Sequence, residues 1–280
     1  MRIGFIGHGE AARAFRASLT EENPRLRFLA HDTDPAALKG IAGGGPEDVA
    51  RADWIVSAVT ADRSLEAAQA VAPHVRPGRL FVDANTVSPE RKARTAELIE
   101  ARGARYLDMA VMAPVLPRGH RTPVLLAGAI SEAAPMLDAL GFDWRPASPD
   151  AEGRPGAAAA VAMVRSLFVK GLEAITVETL LAAAATGCLP QIVASLSGSY
   201  PGLRWLDHSR ASFERTLRHG TRRAAEMQEC AETLDGLGMA GDLARRIAEV
   251  QARMGAAPAL DLQGGDLEAA IEALLRQGTG

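Results

Sequence analysis

The sequence predicts an α/β domain with a doubly wound parallel sheet, followed by an all-helical domain. Three observations predict it. Apolar runs alternate with helix-patterned segments through roughly the first half of the chain, the mark of βαβ units. A glycine-rich turn joins the first run to the first helix. After a Pro-, Gly- and Asp-rich stretch, 146–156 (PASPDAEGRPG), the pattern is helical throughout. The expected division is residues 1–150 and residues 151–280.

The strands expected in the first half are Arg2–Ile6, Arg25–His31, Asp53–Val59, Arg79–Val82, Ala104–Val111, Thr122–Gly128 and Phe142–Arg145. Between them Glu10–Glu22, Pro35–Ile41, Asp62–Val75, Pro89–Arg102 and Ser131–Leu140 read as helices. Ser88-Pro89 is a helix start, a capping hydroxyl before a first-turn proline. Gly43-Gly44-Gly45-Pro46 lacks the Lys-Ser/Thr of a phosphate loop and reads as a solvated turn. The second half predicts one long helix over Gly156–Thr186, then helices near Pro190–Ser197, Ser209–Leu237, Ala240–Met254 and Asp266–Gln277.

With 280 residues, 48% hydrophobic, 23% charged and a formal charge of −3, the composition is ordinary globular. Such a balance gives no electrostatic case for nucleic acid or an anionic membrane. Arg165, Lys170, Glu173 and Glu178 interrupt the Ala-rich span 156–187, so it reads as a helix outside the membrane. Cys188 and Cys230 lie in no metal-binding spacing and are expected to be small buried hydrophobes in a reducing cytoplasm.

Gly7-His8-Gly9-Glu10-Ala11-Ala12 follows an apolar strand and opens a helix, the context that a G-x-G-x-x-G/A dinucleotide fingerprint requires. Gly7 permits the tight turn, Gly9 admits a diphosphate to the backbone, and Ala12 lets the helix pack on the strand. The helix N-terminus supplies free N–H groups to the phosphates. His8 is expected to be exposed. Asp32 ends the second strand, where a carboxylate would take the adenosine ribose hydroxyls and repel a 2′-phosphate. No cation follows it until Lys39, which favours NAD, with NADP as the second option. Asp34 suits the cap of the helix opening at Pro35. Val59-Thr60-Ala61 and Asn85-Thr86 follow later strands at the carboxyl edge and are expected to line the nicotinamide half.

These residues resemble the β-hydroxyacid dehydrogenases, the group that includes 3-hydroxyisobutyrate and 6-phosphogluconate dehydrogenases. The resemblance rests on four blocks: Gly7–Ala12; Val82–Pro89 (VDANTVSP), like the family's D-x-S/N-T-x-x-P; Leu107–Gly119 (LDMAVMAPVLPRG), like D-A-P-V-S-G-G; and the helix after Gly156. Arg165–Ala174 (RSLFVKGLEA) and His219–Met227 (HGTRRAAEM) look like a phosphogluconate dehydrogenase-like branch. The resemblance implies hydride transfer between NAD(P) and a small hydroxylated substrate, an active site between the domains, and a homodimer.

One departure matters. Counted from Gly156, the family's general acid/base lysine falls on Ala162, and its asparagine on Arg165 or Ser166. Met112 and Ala113 stand where Ser and Gly would help grip a carboxylate. Oxidising an alcohol needs a base for the hydroxyl proton, and the reverse needs an acid. Around the helix Ser166 lies about 40° from Ala162, Arg165 about 60° away on the other side, and Lys170 about 80° away.

The candidates for proton transfer are therefore Lys170, His219 and Ser166. Against Lys170 stands an ion pair with Glu173 or Glu178. Arg165, Arg222 and Met112 are the candidates for substrate contact, the arginines because a permanent cation suits a carboxylate. His219, Arg222 and Arg223 share one helix face. Met109 and Met163 could join a soft apolar wall, and the loop Pro117–Arg121 could close over substrate. Two other functions stay open: C=N reduction as in imine reductases, where an iminium needs less help from an acid, and a nucleotide-binding sensor or scaffold without catalysis.

Overall fold

The computed structural model describes residues 1–257 and 267–276. Eight strands form one sheet: β1 (Arg2–Ile6), β2 (Arg27–His31), β3 (Ala42–Gly43), β4 (Trp54–Ser57), β5 (Leu80–Asp83), β6 (Arg105–Val111), β7 (Val124–Gly128) and β8 (Trp144–Pro146). Their order is β3-β2-β1-β4-β5-β6-β7-β8, so the chain reverses direction across the sheet between β1 and β4. Open α/β sheets bind ligands at that switch point, outside the carboxyl ends of the strands.

All neighbours are parallel except β6 and β7. Residues 112–123 carry a 3₁₀ turn, Gly119–Arg121, instead of a crossover helix, so β7 returns antiparallel to β6. The helices of this part are α1 (Glu10–Glu22), α2 (Pro46–Val49), α3 (Ser64–Val71), α4 (Pro89–Glu100) and α5 (Ile130–Leu140). Period-two alternation along the strands sorts the core onto two faces. Phe5, Val56, Val82 and Leu107 pack with Phe15 and Leu19 of α1 and Leu137 of α5. Ile55, Phe81 and Tyr106 pack with Val71 of α3 and Ile99 of α4.

Two expectations change here. The helix expected over 35–41 is a 3₁₀ turn, Pro35–Leu38, and the triple glycine begins as the edge strand β3. Pairing with β2 drives this, continued by the Gly44 N–H donating to Ala30 O at 3.0 Å. Ser88 is the N-cap of α4 with Pro89 after it, but its hydroxyl makes no capping hydrogen bond.

The rest is helical: α6 (Ala157–Ala185), α7 (Leu189–Ser199), α8 (Trp205–Gly236), α9 (Asp242–Ala256) and α10 (Leu267–Arg276). Asp266 and Gln277, the ends expected for the last helix, lie outside the described residues. Two compact units emerge, Met1–Val164 and Arg165–Gly280. Their division falls inside α6, later than the expected boundary, because Asp108 of β6 binds the first turn of α6 to the sheet. The second unit has its own core of Val177, Leu180, Phe213, Met254, Ile271 and Leu274.

Candidate active site

In the first unit β1 passes into α1 through a turn that only glycine fits. Gly7 has φ +80°, and a Cβ there would lie 2.6 Å from Ala58 O. Gly9 is the N-cap of α1 and offers no capping side chain, so the first N–H groups of the helix are left without one. A Cβ at Gly9 would meet nothing within 4 Å, which leaves the backbone open to a diphosphate. Ala12 is fully buried against the sheet. Glu10 is exposed and Ala11 half-buried.

His8 is not the exposed residue expected from its place between two glycines. It is 1% exposed. Its ring Nδ1 lies 2.7 Å from Ala37 O and its ring packs near Phe5, which turns the side chain into the protein. Its backbone is held within the turn: the His8 N–H donates to Asp32 Oδ2 at 2.7 Å, and Arg13 Nε donates to His8 O at 2.8 Å. Asp32 Oδ1 also accepts the Asp34 N–H. Asp34 caps the 3₁₀ turn through the Ala36 N–H, which leaves Asp32 at the strand end.

At the carboxyl ends of β4 and β5, Asn85 ties two loops together. Its Oδ1 accepts the Val59 N–H at 2.7 Å, and its Nδ2 donates to Ser57 Oγ at 2.9 Å and Asp83 Oδ1 at 2.8 Å. The amide is thus consumed inside the fold, and what it shapes is the loop Ala58-Val59-Thr60. Thr60 is exposed, Thr86 half-buried and Ala61 buried.

Behind this loop lies a buried charge cluster that sequence reasoning missed. Asp83 and Asp108 are register partners on β5 and β6, and Lys92 of α4 reaches both. Burial opposes a charged Lys92, but the two carboxylates prevail and raise its pKa. Burial raises Asp108 and pushes the Tyr106 hydroxyl well above its usual value, so the phenol stays a donor to Asp83. The available signal was an aspartate inside each of two apolar strands, FVD and YLDMAV, with a lysine on the helix between them.

In the second unit three candidates meet around Glu226. Lys170 Nζ lies 2.7 Å from the Glu226 carboxylate and donates to Ser166 Oγ at 3.1 Å. Arg222 Nε is 3.7 Å from Glu226. Burial would raise the Glu226 carboxyl, but Lys170, with Arg222 and Arg223, holds it below the usual range. The partner of Lys170 is therefore neither Glu173 nor Glu178. Glu173 pairs with Arg215 and Arg223, and Glu178 with Arg253. Lys170 points across to α8 and not along its own helix. His219 is half-buried on α8, and Arg165 is exposed.

Several expectations resolve as packing. Met109 and Met163 are each 1% exposed, while Met112 is half-buried after β6. Cys230 is buried and Cys188 only partly so. The turn at Gly119–Arg121 is docked on α1: buried His120 bonds Ser18 Oγ at 2.8 Å, and Arg121 pairs with Glu22. Among the described residues no helix is long and apolar enough to cross a membrane, and no cluster could hold a metal ion.

The chain is similar to known proteins in both of its parts. A family model described as the NAD binding domain of 6-phosphogluconate dehydrogenase matches residues 2–141. A second, a domain of unknown function (DUF1932), matches residues 183–254. A conserved hypothetical protein from Sinorhizobium meliloti 1021 is 32% identical, with a TM-score of 0.71 over 99% of this chain and 96% of that one. A conserved protein of unknown function, described as structurally similar to 3-hydroxyacid dehydrogenases, is 27% identical, with a TM-score of 0.67 over 92% of this chain and all of that one (100%). Human mitochondrial 3-hydroxyisobutyrate dehydrogenase is 26% identical over 151 residues, 50% of this chain and 44% of the human protein.

Proposed function

The chain belongs to the β-hydroxyacid dehydrogenase family, and on that premise we propose that it is an NAD-dependent oxidoreductase of a small hydroxy acid, with Lys170 as proton carrier. A bound nicotinamide would accept or return the hydride. The turn Gly7–Ala12 fits the diphosphate, because Gly9 is open and the N-terminus of α1 has no capping side chain. Asp32 is the observation that carries the choice of NAD. Its carboxylate is held at the strand end by the His8 and Asp34 N–H groups, takes ribose hydroxyls and repels a 2′-phosphate. Val59–Ala61, Asn85 and Thr86 belong to the nicotinamide side.

Ala162 stands where the family lysine is expected, so another group must handle the substrate proton. What supports Lys170 is its setting: a buried ammonium held between a carboxylate and a hydroxyl. In the reductive direction its proton would pass to the developing alkoxide. Exposed Arg165, with Arg222 beside Glu226, suits a substrate carboxylate. Val161, Val164, Phe168 and Ile175 leave an exposed apolar stripe along α6, which supports a homodimer. Cys188 and Cys230 lie in no metal-binding spacing, which suits a reducing cytoplasm.

The test is turnover of NADH on a panel of 3-oxo acids and cyclic imines, with Lys170→Ala and His219→Ala beside the wild type. The proposal expects oxo-acid turnover that Lys170→Ala lowers about a hundredfold while His219→Ala changes it little. The reverse ranking overturns Lys170. Turnover of imines alone points to a C=N reductase, and saturable NADH binding with no turnover points to a sensor.

A further inference from the structure

Lys92 has no part in the chemistry above, yet it is among the largest side chains buried to below 2% exposure. Cross-strand pairing sets Asp83, the last residue of β5, beside Asp108 in the middle of β6, on the face that α4 covers. Two buried carboxylates in that position repel unless a cation separates them. Lys92 is that cation. Its ammonium donates to Asp83 O at 2.6 Å and to Asp83 Oδ1 at 2.9 Å, and it lies 3.2 Å from Asp108 Oδ1. Two of its hydrogen bonds thus go to Asp83, and Asp108 is held by charge as an ion pair.

Each carboxylate then reaches outward. Asp83 Oδ1 accepts both the N–H and the amide Nδ2 of Asn85, and Tyr106 Oη donates to Asp83 Oδ2 at 2.8 Å. With its Nδ2 held, Asn85 presents Oδ1 to the Val59 N–H. Asp108 Oδ2 accepts the N–H groups of Gly156, Ala158 and Ala159, which satisfies the start of α6. Contacts through Asp83 and Asp108 thus link one buried ammonium to the loop after β4, the loop after β5 and the first turn of α6.

We propose that Lys92 is a positioning residue for the nicotinamide side of the cofactor site: through Asp83 it sets the Asn85 amide that fixes the Val59 N–H. This rests on the reading that the loops after β4 and β5 receive the nicotinamide half. The adenosine half, at Gly7–Ala12 and Asp32, has hydrogen bonds of its own, Gly7 N–H to His31 O and His8 N–H to Asp32, and none of these involves the cluster.

The test compares the wild type with Lys92→Met, the charge-balanced Lys92→Met/Asp83→Asn, Asn85→Ala and Thr60→Trp. Each full-length protein is titrated with NADH and with ADP, which probes the adenosine diphosphate half alone. Amide exchange is followed without ligand. The Lys92 variants and Asn85→Ala are expected to lose NADH affinity at least about tenfold and ADP affinity less than about twofold. The Val59 amide should exchange at least about tenfold faster, while the Ala58 amide, bonded to Ile6 O, keeps its protection. Equal losses for NADH and ADP, or an unchanged Val59 amide, overturn the proposal. Asn85→Ala with wild-type NADH affinity overturns it even if the Lys92 variants do not fold. Thr60→Trp tests the underlying reading separately: if that exposed loop residue can be enlarged without weakening NADH, the loop assignment fails, whatever Lys92 does to Val59.

Discussion

Gly7 and Gly9 are two residues apart and should respond to the same methyl group in opposite ways. At Gly7, φ is +80°, and an L-residue in that region costs about 1–2 kcal/mol. The added Cβ would also lie 2.6 Å from Ala58 O, a backbone atom that cannot swing aside, and 2.7 Å from the Val59 side chain at Cγ1. Overpacking of that kind costs a further ~1–3 kcal/mol. Gly7→Ala should therefore lose about 3 kcal/mol, a fall in Tm of about 6–12 °C at this size. At Gly9, φ is −76° and the Cβ would meet nothing within 4 Å, so only the N-cap preference for glycine over alanine is lost, about 1 kcal/mol at most. The methyl would instead stand where a diphosphate approaches, and NADH affinity should fall at least about tenfold. Thermal unfolding and NADH fluorescence titration of the pair check both halves. Wild-type NADH affinity in Gly9→Ala, or wild-type stability in Gly7→Ala, would refute the reasoning.

The other predictions concern the helical part and the cofactor. The folded Glu226 carboxyl lies below its ordinary value of 4.5, since Lys170 outweighs burial. Its stabilisation is therefore complete above that value and fades as pH falls through the folded one. Denaturant titrations should show Glu226→Gln destabilised by about 3 kcal/mol at pH 7, with the gap closing in acid. A gap independent of pH would contradict the ion pair. Phe168 is 72% exposed on the α6 stripe, and Phe168→Glu should weaken self-association at least about a hundredfold by sedimentation, with secondary structure intact. Asp32→Ala should narrow the preference for NADH over NADPH at least about tenfold, read from the two dissociation constants.

Much of this was legible because period and punctuation agreed. Gly9 before Glu10 and Asn23 after Glu22 bound α1 at the residues expected. The apolar strands are buried on both faces, as parallel strands covered by helices must be. What the residues alone could not convey were partnerships decided across the fold. A two-residue edge strand has no periodicity, so Ala42–Gly43 was hidden among glycines that suit a turn equally well. His8 looked exposed because nothing in the glycine motif announces that Ala37 O waits 2.7 Å from its ring. Lys170 had acidic neighbours on its own helix, yet Glu226 on α8 is the group that reaches it. Lys92 sits in a helix that reads as polar and solvated, PERKARTAELIE, and only the register of β5 against β6 reveals why it is buried.

The central claim is that the first turn of the chain holds a nicotinamide dinucleotide and that Asp32 selects the form without a 2′-phosphate. Parallel titration of the wild-type protein with NADH and NADPH tests it most directly. The account predicts saturable binding of both, with NADH at least about tenfold tighter. Binding of neither, or a preference for NADPH, would contradict it.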